Sequence, residues 1–298
     1  MDSDHEAYIL LLLSDSNLPT GSFVASAGLE SYVTHGFFTD LASPSTSATP
    51  DKMDYTINFL RDSLSTYARS ALPFVLDAHL TAQEALQNSQ SSAADAAAHA
   101  MGPLRELDEL YETMTLNHVA RRASKSQGVA LLTLFSKGFS EPQLSRHLPS
   151  SGLPTRSGNE ARAAAVVDNL KLLVRREDTH GHLPICWGVL TAALGLSSER
   201  SQYLHLFLQA RSLLSASVRL NTIGPYAAQQ LLLHVVRPIV EAEMKRCKHL
   251  STGLRASTDD TLPGTPQDEA LIGPAMTWPL GEILAARHDL QHSRIFNS

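Results

Sequence analysis

The chain has 298 residues, of which 43% are hydrophobic and 18% charged, and its formal net charge is −6. That is enough apolar material for a sizeable core, in one large domain or two small ones. The acidic balance speaks against nucleic acid as a partner. The two cysteines, Cys186 and Cys247, are too far apart for a CxxC motif, exclude a disulfide framework and read as small buried hydrophobes in a reducing compartment.

The opening stretch MDSDHEAYILLLLSDS is acidic where a secretory signal would be basic. Its apolar run, Ala7–Leu13, is too short to span a membrane. With no other address in the sequence, the expectation is a cytoplasmic protein without a membrane contact. Next comes LPTGSFVASAGLESYVTHGFF, residues 18–38, rich in glycine and small hydroxylated residues. It lacks the lysine of a GxxxxGK phosphate loop and follows no strand, so it is not a nucleotide cradle. Ser22 and Ser26 do not sit in a GxSxG spacing, so it is not the nucleophile elbow of a hydrolase. Pro19 and Gly21 predict a turn that starts a helix. Gly28 predicts a close approach to a neighbour. Glu30 reads, on residue type alone, as a solvated carboxylate.

Helical periodicity governs the rest. Tyr55–Asp77 sets Phe59, Leu60, Leu64, Tyr67 and Ala71 on one face, with Pro73 expected to kink or end the element. Leu104–Phe135 reads as one long helical region interrupted at Gly128, a glycine that needs a packing reason. Arg121, Arg122 and Lys125 read as a solvated face. Glu160–Glu177 is a further helix. Residues 180–196 carry Gly181, Gly188 and Gly195 among apolar residues, the spacing of a buried helix lying close to another. Tyr203–Leu220 follows, with Arg219 placed to complement its C-terminal dipole. Gly224 marks the turn before Pro225–Lys248, which Pro238 should bend.

No run alternates with period two between turn residues, so the fold class is all-α. The reading is a single helical bundle-like domain over residues 1–250, with loop insertions near 41–51 and 140–158. A linker over 251–275 then separates a tail, 276–298, whose apolar content predicts a docking role.

Thirteen histidines invite a metal reading. His180 and His182 form an HxH pair. His288 and His292 stand at i,i+4, a spacing that on a helix can hold one ion. Imidazole suits nickel, so these four are candidates for transient nickel contact, against capping or interface roles. No nucleophile, base and orienting group assemble from the residues alone. They describe a helical binding or scaffold protein.

Six stretches in order resemble the UreF family of urease accessory proteins. The opening stretch is similar to that family's S-x-x-P-x-G-x-F-x-x-S-x-G-L-E signature through Ser16, Pro19, Gly21, Phe23, Ser26, Gly28, Leu29 and Glu30. FLRDSLSTYARSALPFV is similar to its following helix. ARRASKSQGVALL resembles R-x-A-S-x-x-Q-G, and GHLPICWGVLTAALGL its glycine-histidine segment. VRLNTIGPYAAQQLL and HDLQHSRIFNS resemble its basic helix end and terminal motif. Asp289 and His292 depart from the Glu and Tyr usual there, and Arg219 stands for a common lysine.

The resemblance implies a non-enzymatic, all-helical homodimer that works with a UreD-type protein (also called UreH) and the GTPase UreG. That assembly delivers nickel to apo-urease. GTP would be bound by the partner GTPase, nickel would be in transit, and this chain would hold neither stably. It also implies Glu30 and Arg219 as contacts for the GTPase, and Arg294, Ile295 and Phe296 as contacts for the UreD-type protein.

Overall fold

The computed structural model describes residues 3–38, 51–88, 91–140, 158–255 and 272–298. The loop readings at 41–50, 141–157 and 256–271 lie outside these. Among the described residues there is no strand, as the pattern predicts.

The spine is a helix of 36 residues, α3 (Lys52–Gln87), preceded by α1 (Ser3–Leu13) and the short α2 (Leu29–Thr34). Asp51 and Asp54 box its start, the Asp51 N–H donating to the Asp54 carboxylate at 3.2 Å. Pro73 does not end it. The helix runs through because Ser70–Val75 are all buried, and packing on both sides outweighs one lost hydrogen bond. One core forms around its second half, with Phe74, Val75 and Ala78, and another around its first half, with Phe59, Leu60 and Leu64.

The predicted long helix 104–135 is two helices, α4 (Ala93–Met114) and α5 (His118–Leu134). Asn117 divides them, its carboxamide oxygen accepting the N–H groups of Val119 and Ala120. Gly128 does not interrupt α5. A Cβ there would lie 2.1 Å from the Gly181 carbonyl oxygen, so glycine lets the 180–182 turn touch the helix. α6 (Gly158–Arg175) follows, then α7 (Leu183–Ala193), whose residues from Pro184 to Ala192 are all buried. α7 lies against α3 closely enough that a Cβ on Gly188 would be 2.6 Å from the Val75 carbonyl oxygen.

α8 (Ser198–Arg219) begins at Ser197, whose hydroxyl accepts the Arg200 N–H. The predicted helix 225–248 is three pieces: α9 (Pro225–Leu231), a π-turn over Leu232–Val236, and α10 (Arg237–Cys247). Pro238 has no N–H for the preceding turn and its ring crowds that turn, so the backbone widens just upstream. Gly224 caps α9 with φ −81° and open space around it, so neither backbone nor packing requires glycine there. Both cysteines are free and buried.

The segment expected to stand apart from the body instead packs onto it. Residues 251–255 are tied to α3, where Thr252 donates to Asp77 at 2.5 Å. α11 (Pro279–Ala286) and a 3-10 turn over Arg287–Leu290 follow, and an extended stretch reaches the opening loop.

Candidate functional site

Two turns shape the opening loop. Gly21, with φ +74°, leads into a 3-10 turn over Ser22–Val24 rather than directly into a helix. Ala27 (φ +49°) and Gly28 (φ +85°) then turn the chain into α2. A Cβ on Gly28 would meet the Ala285 Cβ at 3.1 Å, which brings α11 beside the loop as the sequence suggested. Pro19 sits in the bend before Gly21.

Glu30, in the first turn of α2, is only 3% exposed, so it is not the solvated carboxylate its residue type suggests. Its Oε1 accepts the Ile295 N–H at 2.6 Å and its Oε2 the Phe296 N–H at 3.2 Å. His288 completes the bracket, with Nε2 3.2 Å from the Phe296 carbonyl oxygen. The next residues pair with the loop backbone. The Asn297 N–H donates to the Val24 carbonyl at 2.8 Å, and the Ser26 N–H to the Ser298 oxygen at 2.5 Å.

Phe296 is 2% exposed, and its ring centre lies 4.1 Å from the Arg219 guanidinium, which is also 3.9 Å from the centre of the Phe23 ring. Arg219 also donates to the Phe23 carbonyl. The arginine at the end of α8 therefore does more than complement a dipole. It makes cation–π contact with two aromatic rings, an interaction that suits the flat guanidinium.

Asp289 is a second tie. Arg122 meets it with two bonds of 2.9 Å and reaches the Asn297 carbonyl at 3.0 Å. Arg294 (2.8 Å) and His118 (3.3 Å) approach the same carboxylate. The hydrogen bonds from Arg122 hold Asp289 well below the usual carboxylate range. Arg122 is thus no idle surface charge, and Arg121 and Lys125 are likewise paired, at 3.3 and 2.9 Å from Glu112.

The family resemblance implies Glu30 and Arg219 at one contact and Arg294, Ile295 and Phe296 at another. The structure brings Glu30, Arg219, Ile295 and Phe296 into one contact. Phe296 faces inward, while Ile295 is 56% exposed and Arg294 is exposed beside Asp289.

The four histidines do not form one group, although His180 and His182 lie together with ring centres 5.9 Å apart. The helical turn ends at Leu290, so His288 and His292 do not share a helix face; His288 is buried and His292 exposed. His180 bonds to Glu109 at 3.0 Å. His182 is fully buried, with Nε2 2.7 Å from Glu112 and Nδ1 3.1 Å from the Ser124 hydroxyl. Burial lowers its pKa, so it stays neutral beside the ionised Glu112. Burial alone would raise Glu112, but bonds from Lys125 and His182 outweigh it and the net shift is downward. No group of three or more metal-ligating side chains is close enough to hold an ion among the described residues.

Serine, histidine and carboxylate stand here in the order of a hydrolase triad. The hydroxyl of Ser124, however, accepts the Leu183 N–H at 3.0 Å and so caps α7, and that N–H is not free to stabilise an oxyanion. Beside it, Asp108 is fully buried and accepts Thr179 Oγ1 and the N–H groups of His180, Gly181 and His182, all within 2.6–2.9 Å. Sequence reasoning missed Asp108 and Glu112, because both look like surface acids in the text LDELYE.

The fold and the site define an all-helical protein in which, among the described residues, the C-terminal stretch is bound to the opening loop. The sequence model of the UreF family matches residues 53–236. The chain is 42% identical over 313 residues to urease accessory protein 6 of Cryptococcus neoformans var. grubii, covering 99% of this chain and 98% of that relative. It is 29% identical over 297 residues to a UreF-like urease accessory protein of Schizosaccharomyces pombe, with 100% and 99% covered. Urease accessory protein F of Oryza sativa subsp. japonica is 27% identical over 294 residues, with 99% and 86% covered. The chain belongs to the UreF family of urease accessory proteins.

Proposed function

We propose that this chain is a non-catalytic scaffold of urease maturation. It binds a UreD-type protein and a UreG-type GTPase and supports GTP-dependent nickel insertion into apo-urease. It works as a cytoplasmic homodimer, and nucleotide and metal belong to its partners. No described helix is long and apolar enough to cross a membrane.

The observation that carries this reading is the contact of Glu30 and Arg219 with Ile295 and Phe296. Residues expected to serve two partners form one unit, so a partner on the Arg294–Ile295 side acts on the structure presented to the other. Phe296 serves as an internal anchor, and Ile295 and Arg294 are the outward contacts.

Affinity capture with purified UreD-type and UreG-type partners tests it. Ile295→Asp with Arg294→Ala should lose the UreD-type partner while the chain stays folded. Glu30→Gln should weaken capture of both. Retention of both partners by every variant, or GTP hydrolysis by the chain alone, would overturn the reading.

A further inference from the structure

A chamber of about 150 Å³ lies between the body and the C-terminal segment. Its walls are mostly apolar, with Ala120 and Ala123 of α5, Leu183 of α7 and Leu213 of α8, and carry polar groups at Ser70 of α3, Gln127 of α5 and Gln209 of α8. Its roof is the C-terminal segment itself, through Met276, Trp278, Gly281, Glu282, Ala285 and Ser298. An apolar lining with a few hydroxyls and carboxamides suits a small, uncharged, largely apolar solute that carries a hydrogen-bonding group. Burial raises the Glu282 carboxyl toward its neutral form, which agrees with that character.

The roof is fastened at three places. At its near end Trp278 packs edge-on against Phe59 with ring centres 5.3 Å apart, and the Thr277 N–H donates to Thr66 at 2.9 Å. A Cβ on Gly281 would strike the Trp278 ring at 2.2 Å, so the indole sits flush on the start of α11. Midway, the Asn117 carboxamide donates to the Glu282 carbonyl at 3.0 Å. The far end is held by the Glu30 carboxylate, the Arg122 guanidinium, the buried Phe296 ring against Arg219, and the backbone bonds of Asn297 and Ser298 to the opening loop.

We propose that residues 279–298 are a lid over this chamber, hinged at Trp278 and latched where Glu30 holds the Ile295–Phe296 backbone. Release of the latch opens the chamber to small solutes. This goes beyond the partner assignments and does not depend on them.

Thiol labelling of the full-length chain tests it. Ser70 lines the chamber and is 1% exposed, and Ser70→Cys changes little in size. The native thiols of Cys186 and Cys247 are buried and pushed to high pKa, so they report opening of the body itself. The rate of modification of Ser70→Cys by a methanethiosulfonate reagent is compared with and without Glu30→Gln. The expected result is at least about tenfold faster labelling of the Cys at position 70 in the double variant, with the native cysteines still protected. Equal rates would overturn the lid, and so would native cysteines that become reactive in step. If Ser70→Cys does not fold, Ala123→Cys on the same chamber wall carries the comparison.

Discussion

Glu30 and Phe296 meet across 266 positions of sequence, the carboxylate of one accepting the backbone N–H of the other in a buried setting. Glu30→Gln keeps the shape but turns one acceptor into a donor facing a backbone N–H. The expected cost is about 1–3 kcal/mol. Amide exchange at Ile295 and Phe296 should accelerate far more than exchange in α3, which separates unlatching from unfolding.

Phe296→Ala removes a ring from the second core and a cation–π partner from Arg219. Burial predicts a loss of about 3–5 kcal/mol. Ile295→Ala, at an exposed position, should stay within about 0.5 kcal/mol. Urea unfolding of the two variants checks the contrast.

Gly128→Ala forces a methyl onto the Gly181 carbonyl, which is backbone and cannot turn aside. We expect a loss of about 1–3 kcal/mol or more and a lower melting temperature. Gly224→Ala should be nearly neutral, because its φ is ordinary and its surroundings are open. Equal effects in a thermal scan would contradict this account.

Asp108→Ala strands one hydroxyl and three N–H groups at the start of α7. The expected penalty is about 3 kcal/mol or more, since buried donors lose a charged acceptor. Asp108→Asn should cost less, as it retains one acceptor oxygen. Denaturant midpoints rank the two.

Acid should destabilise the protein in a defined window. Burial lowers His79 to about 4 and His205 to about 3. A histidine depressed on folding contributes stability above its unfolded value of about 6.5, and that stability is lost as pH falls toward the folded value. Asp289, depressed by Arg122, adds a loss at still lower pH, below the unfolded carboxylate value of about 3.9. The urea midpoint should therefore fall as pH drops from 6.5 to 4, and His205→Gln should flatten that slope.

The helices were legible because their signals are local. The face of Phe59, Leu60 and Leu64 repeats at helical spacing, and Gly188 marked the close approach of α7 to α3, whereas Gly181 (φ +75°) and Gly195 (φ +77°) lie outside that helix. The division at Asn117 was also written locally, in a cap that a long run of good helix formers obscures. Glu30 was not legible from physics, since nothing periodic links it to Ile295. The family motif marked it, and only the structure says what it holds. Asp108 shows the same limit: an acid in a charged helix reads as solvated until the turn it captures is seen.

The span between Glu30 and Ile295 also sets an order in time. At about 5–20 residues per second, the ribosome makes Ile295 roughly 13–53 s after Glu30, given their separation of 265 residues. Through that interval a carboxylate destined for burial has no backbone to hold. The Glu30 carboxylate and the N–H groups of Ile295 and Phe296 therefore meet only after the body has been made, and closing the latch is a late event in this chain's biogenesis.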